Sequence, residues 1–268
     1  MKNVGLAILV ALCVGGCSSW PFSSGAAKKP PVEEPIDSRT PTKPRDPRTR
    51  AKLHTELGAM YLQNNNLAVA LEELTIAIAI DPDYARAYST RGLAGFQVRE
   101  MQAADQDFRR ALSLDGNDPE INNNYGWFLC QIGREQEGIP YFHKAIKNPL
   151  YETPAKAYLN AGACYAKLGD LANAEGYIEQ SLRIAPGNPQ AVLQLASLNY
   201  QRGQLELARQ QLADLLRQTE PNAEALWLGV RIERGLGNRP GEARYANQLR
   251  RRFPLAPEAQ QLMKGHFE

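Results

Sequence analysis

The sequence predicts an all-α chain: a right-handed superhelical solenoid of about six helix-turn-helix repeats closed by a short C-terminal helix. A signal peptide and a disordered tether precede it. Three observations carry this. Gly58, Gly92 and Gly126 are 34 residues apart. Three further columns keep that period: Ala70, Ala104 and Gly138; Leu74, Phe108 and Phe142; Ala77, Ala111 and Ala145. Before residue 51, composition changes abruptly to proline and small polar residues.

Residues 1–16 read as a lipoprotein signal peptide. Lys2 gives a positive start, and Val4 to Val14 is an apolar run of signal-core length, too short for a spanning helix. It ends in Val14-Gly15-Gly16-Cys17, which resembles the bacterial lipobox, where small residues let a peptidase seat an extended backbone. The resemblance implies that Cys17 is acylated and becomes the mature N-terminus. Each buried CH2 contributes about 0.8 kcal/mol, so several chains make a stable anchor. A plain secretory signal with an incidental Cys17 is the alternative. Ser18 after the cysteine resembles an outer-membrane address.

Residues 17–50 read as the lipidated N-terminus and a flexible linker. Residues 18–50 hold seven prolines and a net charge of +3. Such a stretch buries too little apolar surface to offset its ordering entropy, and proline extends it.

Residues 51–268 read as the repeat domain, with units at about 51–84, 85–118, 119–152, 155–188, 189–222 and 223–256. Between units three and four the period stretches to 36, from Gly126 to Gly162, which places a longer loop at Asn148–Pro154. In the sixth unit Val230 stands where glycine is expected, with one extra residue near Asn238–Pro240 and Ala243 closing the unit. Pro257 to Glu268 reads as a terminal helix covering an otherwise open apolar face. Small residues at these offsets on a 34-residue period resemble the tetratricopeptide repeat (TPR). The fold this implies is a binding scaffold whose first helices line a concave face.

On that geometry the inward positions of the first three units are Lys52, Thr55, Ala59, Leu62 and Gln63; Arg86, Ser89, Leu93, Phe96 and Gln97; and Glu120, Asn123, Trp127, Cys130 and Gln131. The candidate partner groove is Leu62, Leu93, Phe96, Asn123 and Trp127, since exposed apolar strips mark partner sites. Packing of Phe96 and Trp127 between repeats is the alternative. A comparable later strip is Leu159, Leu193, Tyr200 and Trp227. The paired Lys and Asn of carboxylate-clamp TPR domains are missing: Thr55, Ala59, Thr90 and Glu120 hold those slots.

The chemistry this excludes is broad. The chain of 268 residues carries 31 basic and 29 acidic side chains, a net +2, which argues against a nucleic-acid partner. His54, His143 and His266 have no partner at metal-ligand spacing, and no G-x-S-x-G, P-loop or G-x-G-x-x-G is present. No catalytic residue, metal, cofactor or small-molecule substrate is expected. Asn122-Asn123-Asn124 reads as a helix start after Pro119, and Arg250-Arg251-Arg252 as a charge complement to a helix C-terminus. Cys130 and Cys164 lie on first helices of adjacent repeats, where a disulfide and two buried free thiols are both open readings.

The NNNYGWFLC stretch at 122–130, the NPLYETP loop at 148–154 and the AGAC at 161–164 are similar to the type IV pilus biogenesis lipoprotein family, PilF/PilW. The resemblance covers essentially the whole chain. It implies an outer-membrane, periplasm-facing pilotin that promotes localisation and multimerisation of the type IV pilus secretin. It also implies that Cys130 and Cys164 are bridged. A general periplasmic adaptor for peptidoglycan enzymes or outer-membrane assembly factors is the rival expectation.

Overall fold

The computed structural model describes residues 46–267. Among them are thirteen α-helices and no strand. Six antiparallel hairpins follow one another: α1 (Pro47–Gln63) with α2 (Leu67–Ile80), α3 (Ala85–Gln97) with α4 (Met101–Leu114), and α5 (Pro119–Gln131) with α6 (Glu135–Lys147). Then come α7 (Pro154–Lys167) with α8 (Leu171–Ile184), α9 (Pro189–Gln201) with α10 (Leu205–Gln218), and α11 (Ala223–Gly235) with α12 (Arg239–Arg252). The short α13 (Pro257–Lys264) packs on α11 and α12. Each first helix touches the first helix of the next hairpin, and each second helix packs behind them. This is the expected solenoid. Lipidation at Cys17 falls outside the described residues.

α1 begins four residues earlier than expected, inside the stretch assigned to the tether. Asp46 accepts backbone N–H bonds from Arg48 and Thr49 at 3.4 and 3.2 Å, and Pro47 takes the first helical position. Pro47 starts a helix here because the N–H it lacks needs no partner in a first turn. Arg48 then pairs with Asp81 at 2.7 Å, pinning that turn to the next connection.

The glycine column has a direct cause. A Cβ at Gly58 would lie 2.7 Å from Leu74 Cγ, one at Gly92 2.9 Å from the Phe108 ring, and one at Gly162 2.6 Å from Ile178 Cγ1. The large residue 16 positions on fills the space a side chain would need, so the two helices approach closely. Hairpin three is tighter still: Gly138 faces the Gly126 carbonyl, and a Cβ there would meet it at 2.7 Å.

The sixth hairpin corrects the sequence reading. Its glycine is present one residue early: Gly229 lies under Tyr245, again 16 positions on, where a Cβ would sit 2.8 Å from the ring. Gly241 then holds the offset of Ala70, so neither a replacing Val230 nor a closing Ala243 defines the unit; Val230 is simply core.

Every turn inside a hairpin places one residue in the left-handed region, always at one register. Gly133, Gly169, Gly203 and Gly237 have φ of 79°, 79°, 76° and 70°. Asn65 at 57° and Arg99 at 66° hold that place in the first two hairpins. Arg99 carries the larger strain, since asparagine tolerates this conformation better than other side chains.

Loop 148–153 is held down at two points. Asn148 Nδ2 donates to the Asn117 carbonyl at 3.1 Å, and the buried Tyr151 donates its hydroxyl to Glu120 Oε2 at 3.1 Å. At the far end, Phe267 stacks on Trp227 with centroids 5.6 Å apart, and Arg234 lies 3.8 Å over the Phe267 ring.

Candidate functional site

The first helices of hairpins three to six form one wall of a cavity of about 590 Å3. Trp127 and Gln131 of α5 open it; Asn160, Ala163 and Lys167 of α7 continue it; Gln190, Gln194, Ser197 and Gln201 of α9 follow, and Glu224 of α11 closes it. Leu159, Cys164, Ile178 and Leu198 line it too, so the surface mixes amide and apolar groups, with Trp127 on one side and one cation and one acid, Lys167 and Glu224.

Sequence and packing place these groups. Trp127 is half-buried, edge-on to Phe96 at 5.0 Å, while Phe96 is edge-on to Phe128 at 6.0 Å. Trp127 thus packs between repeats and lines the groove at once. Leu93 and Phe96 lie half-buried against the cluster around Phe108 and Phe128. Leu62 is half-buried on α1.

Asn123 does not face the groove. It is 1% exposed, and its Oδ1 accepts from Asn160 Nδ2 at 2.9 Å, so it orients a groove residue from behind. The whole Asn122–Asn124 run is buried within α5 rather than merely starting it. Asn122 Nδ2 donates to the carbonyls of Gly116 and Asp118, and Asn124 Nδ2 donates to Ser89 Oγ at 3.3 Å. Buried amides of this kind must find partners, which ties α5 to its neighbours. The later apolar strip is core as well: Leu159, Leu193 and Trp227 are buried between hairpins, and only Tyr200 is partly exposed.

The structure joins Cys130 and Cys164 in a disulfide with Cα atoms 5.7 Å apart, linking α5 to α7 at the groove floor. Beside it, Lys167 Nζ donates to the Cys130 carbonyl and to Gln131 Oε1, each at 3.1 Å. Burial holds the Lys167 pKa below its ordinary value. Burial also lowers that of Arg231, whose guanidinium lies 4.9 Å over Tyr200 and 5.8 Å over Trp227. At the other end, Glu120 is engaged by Lys156 and Tyr151, and Arg86 by Asp118.

Sequence reasoning placed Gln63, Gln97 and Gln131 inward but gave them no role. They are the last helical residues of α1, α3 and α5; Lys167 and Gln201 end α7 and α9 in the same register. The signal was readable as one more column of the repeat. A second hollow, of about 450 Å3, lies on the outer side between α6, α7 and α8, lined by His143, Tyr158, Tyr177 and Arg183. The Tyr177 hydroxyl and His143 Nε2 share a hydrogen bond of 2.7 Å, with the Tyr165 hydroxyl at 3.2 Å. Burial foremost, and Lys147 second, keep the His143 pKa below its usual value.

Among the described residues no group of three or more His, Cys, Asp or Glu side chains could hold a metal ion, and no helix is long and apolar enough to cross a membrane. Helical hairpins on a 34-residue period, with first helices sharing one wall, define a tetratricopeptide-repeat protein. Family profiles described as tetratricopeptide repeat match residues 55–119 and 155–228. The chain is 31% identical over 208 residues to the type IV pilus assembly protein PilF of Pseudomonas aeruginosa, across 78% of this chain and 82% of that one. The crystal structure of PilW, a type IV pilus biogenesis factor, superposes with a TM-score of 0.70 at 34% identity, covering 80% of this chain and 98% of PilW. A structure of Pseudomonas aeruginosa PilF gives 0.65 at 30% identity, covering 82% and 100%. The chain belongs to the PilF/PilW family of type IV pilus biogenesis TPR proteins.

Proposed function

We propose that this protein is the outer-membrane pilotin of a type IV pilus system. Acyl groups on Cys17 anchor it in the periplasmic leaflet, and the proline-rich tether gives the repeats reach. The solenoid docks the pilus secretin subunit, so both chains share one membrane address. That raises the secretin's local concentration and drives its multimerisation. The observation that carries this reading is the relationship to PilF at 31% identity over 78% of the chain. The open concave wall shared by four successive first helices, with amide, aromatic and aliphatic groups, supports docking of a protein segment.

The test is deletion of the gene, with complementation by the wild type and by Cys17→Ser. The proposal expects the deletion to lose outer-membrane secretin multimers and twitching, and Cys17→Ser to leave secretin in the wrong membrane. Normal secretin rings in the deletion strain contradict it.

A further inference from the structure

The partner chemistry of the concave wall can be read from three features, and this inference rests on the docking reading above. The first is the column of amides. Gln63, Gln97, Gln131 and Gln201 end α1, α3, α5 and α9 at one register and are solvent-exposed. A primary amide offers a donor and an acceptor together, the pair that a peptide backbone presents. Packed helices lie about 8–10 Å apart. An extended chain advances about 3.3 Å per residue, so the column offers one rung for about every three residues of an extended segment.

The second feature is an open valence. Gln194, on the same wall, has a buried Oε1 with no hydrogen-bond partner. A buried acceptor left unpaired is unfavourable, and an incoming backbone N–H would satisfy it. The third is charge. Lys167 interrupts the glutamine column, and Arg231, four residues before the end of α11, lies over Tyr200 at 4.9 Å beside the cavity lining. Among the described residues neither cation is within salt-bridge distance of a carboxylate, and Arg231 Nε has no partner. Glu224 shares the wall without pairing to either. Glu135 acts on Lys167 and Glu224 on Arg231 through space, but neither cation is paired with a carboxylate, so each can take one from a partner.

We propose that the wall from α5 to α11 takes an extended, acidic segment of a partner protein, its backbone held by Gln131, Gln194 and Gln201 and its carboxylates by Lys167 and Arg231.

The test titrates the full chain with a blocked dodecapeptide of four Ser-Glu-Thr copies, and with its lysine counterpart, following side-chain amide NMR signals. The acidic peptide is expected to shift the amide signals of Gln131, Gln194 and Gln201, and the lysine peptide is not. Lys167→Met should weaken binding about tenfold or more, the loss of one charge-assisted contact, and Gln201→Glu by a similar factor, because it sets a carboxylate against the acidic segment. Gln201 makes no contact the fold needs, so that variant reports on the groove even where Lys167→Met unfolds. No shift at millimolar acidic peptide, equal shifts with both peptides, or undiminished binding by Gln201→Glu overturns the inference. Secretin assembly in cells is scored separately, so failure of the peptide mode and failure of the pilotin role are distinguishable.

Discussion

Gly229 lies directly under the ring of Tyr245, 16 residues ahead of it, as Gly58 lies under Leu74 and Gly92 under Phe108. The pair defines how closely the helices of a hairpin approach. Replacing Gly229 by alanine forces a Cβ to 2.8 Å from Tyr245 Cγ, an atom that cannot swing away. The expected cost is about 1–3 kcal/mol. Gly176→Ala on the exposed face of α8 is the control: nothing lies within 4 Å of its Cβ, and the expected gain is about 0.5–1 kcal/mol. Urea unfolding of both variants checks the contrast.

Arg99 occupies a left-handed turn position that glycine fills in four sister hairpins. Arg99→Gly removes strain of about 1–2 kcal/mol and returns some of it as unfolded-chain entropy. A net gain of about 0.5–1 kcal/mol is expected, seen as a raised Tm with unchanged helical circular dichroism. Gly133→Arg should lower it.

The Cys130–Cys164 bridge closes a segment of 34 residues and ties α5 to α7. Reduction, or Cys164→Ala, should destabilise the chain by about 2–4 kcal/mol. Intact mass with and without reductant establishes the bond in protein purified under non-reducing conditions, and denaturation midpoints give the magnitude.

Burial first, and the Lys147 charge second, lower the folded His143 pKa below the ordinary value of 6.5. The unfolded chain therefore binds the extra proton first as pH falls. The stability from this group is complete above about pH 6.5 and is lost as pH drops through that value toward the lowered one. Thermal melts at pH 7.5 and 5.5 should show that loss, and His143→Gln should lack this part of it.

The hairpins were readable because a 34-residue period records a steric demand: Gly58, Gly92 and Gly126 each leave room for a neighbour's side chain. Gly229 was missed because the fixed period pointed to Val230, one residue on, although the 16-residue offset from glycine to a large side chain persists. Pro47 was missed because proline both stiffens linkers and starts helices; Asp46 before it decides. The groove was read less well. Inward register identified Gln131 and Trp127, but Leu159, Leu193 and Trp227 are apolar whether they face a partner or the next hairpin, and only packing separates the two. Asn123 was placed on the wall when it braces Asn160 from behind, because register gives direction and not depth.

The most direct test places a photo-crosslinking amino acid at Gln131, which is exposed on the groove and outside the core, and irradiates living cells. The account predicts an adduct with the secretin subunit, and none from the same probe at Arg183 on the outer face. A secretin adduct from Arg183 but not from Gln131, or no secretin adduct from either, contradicts it.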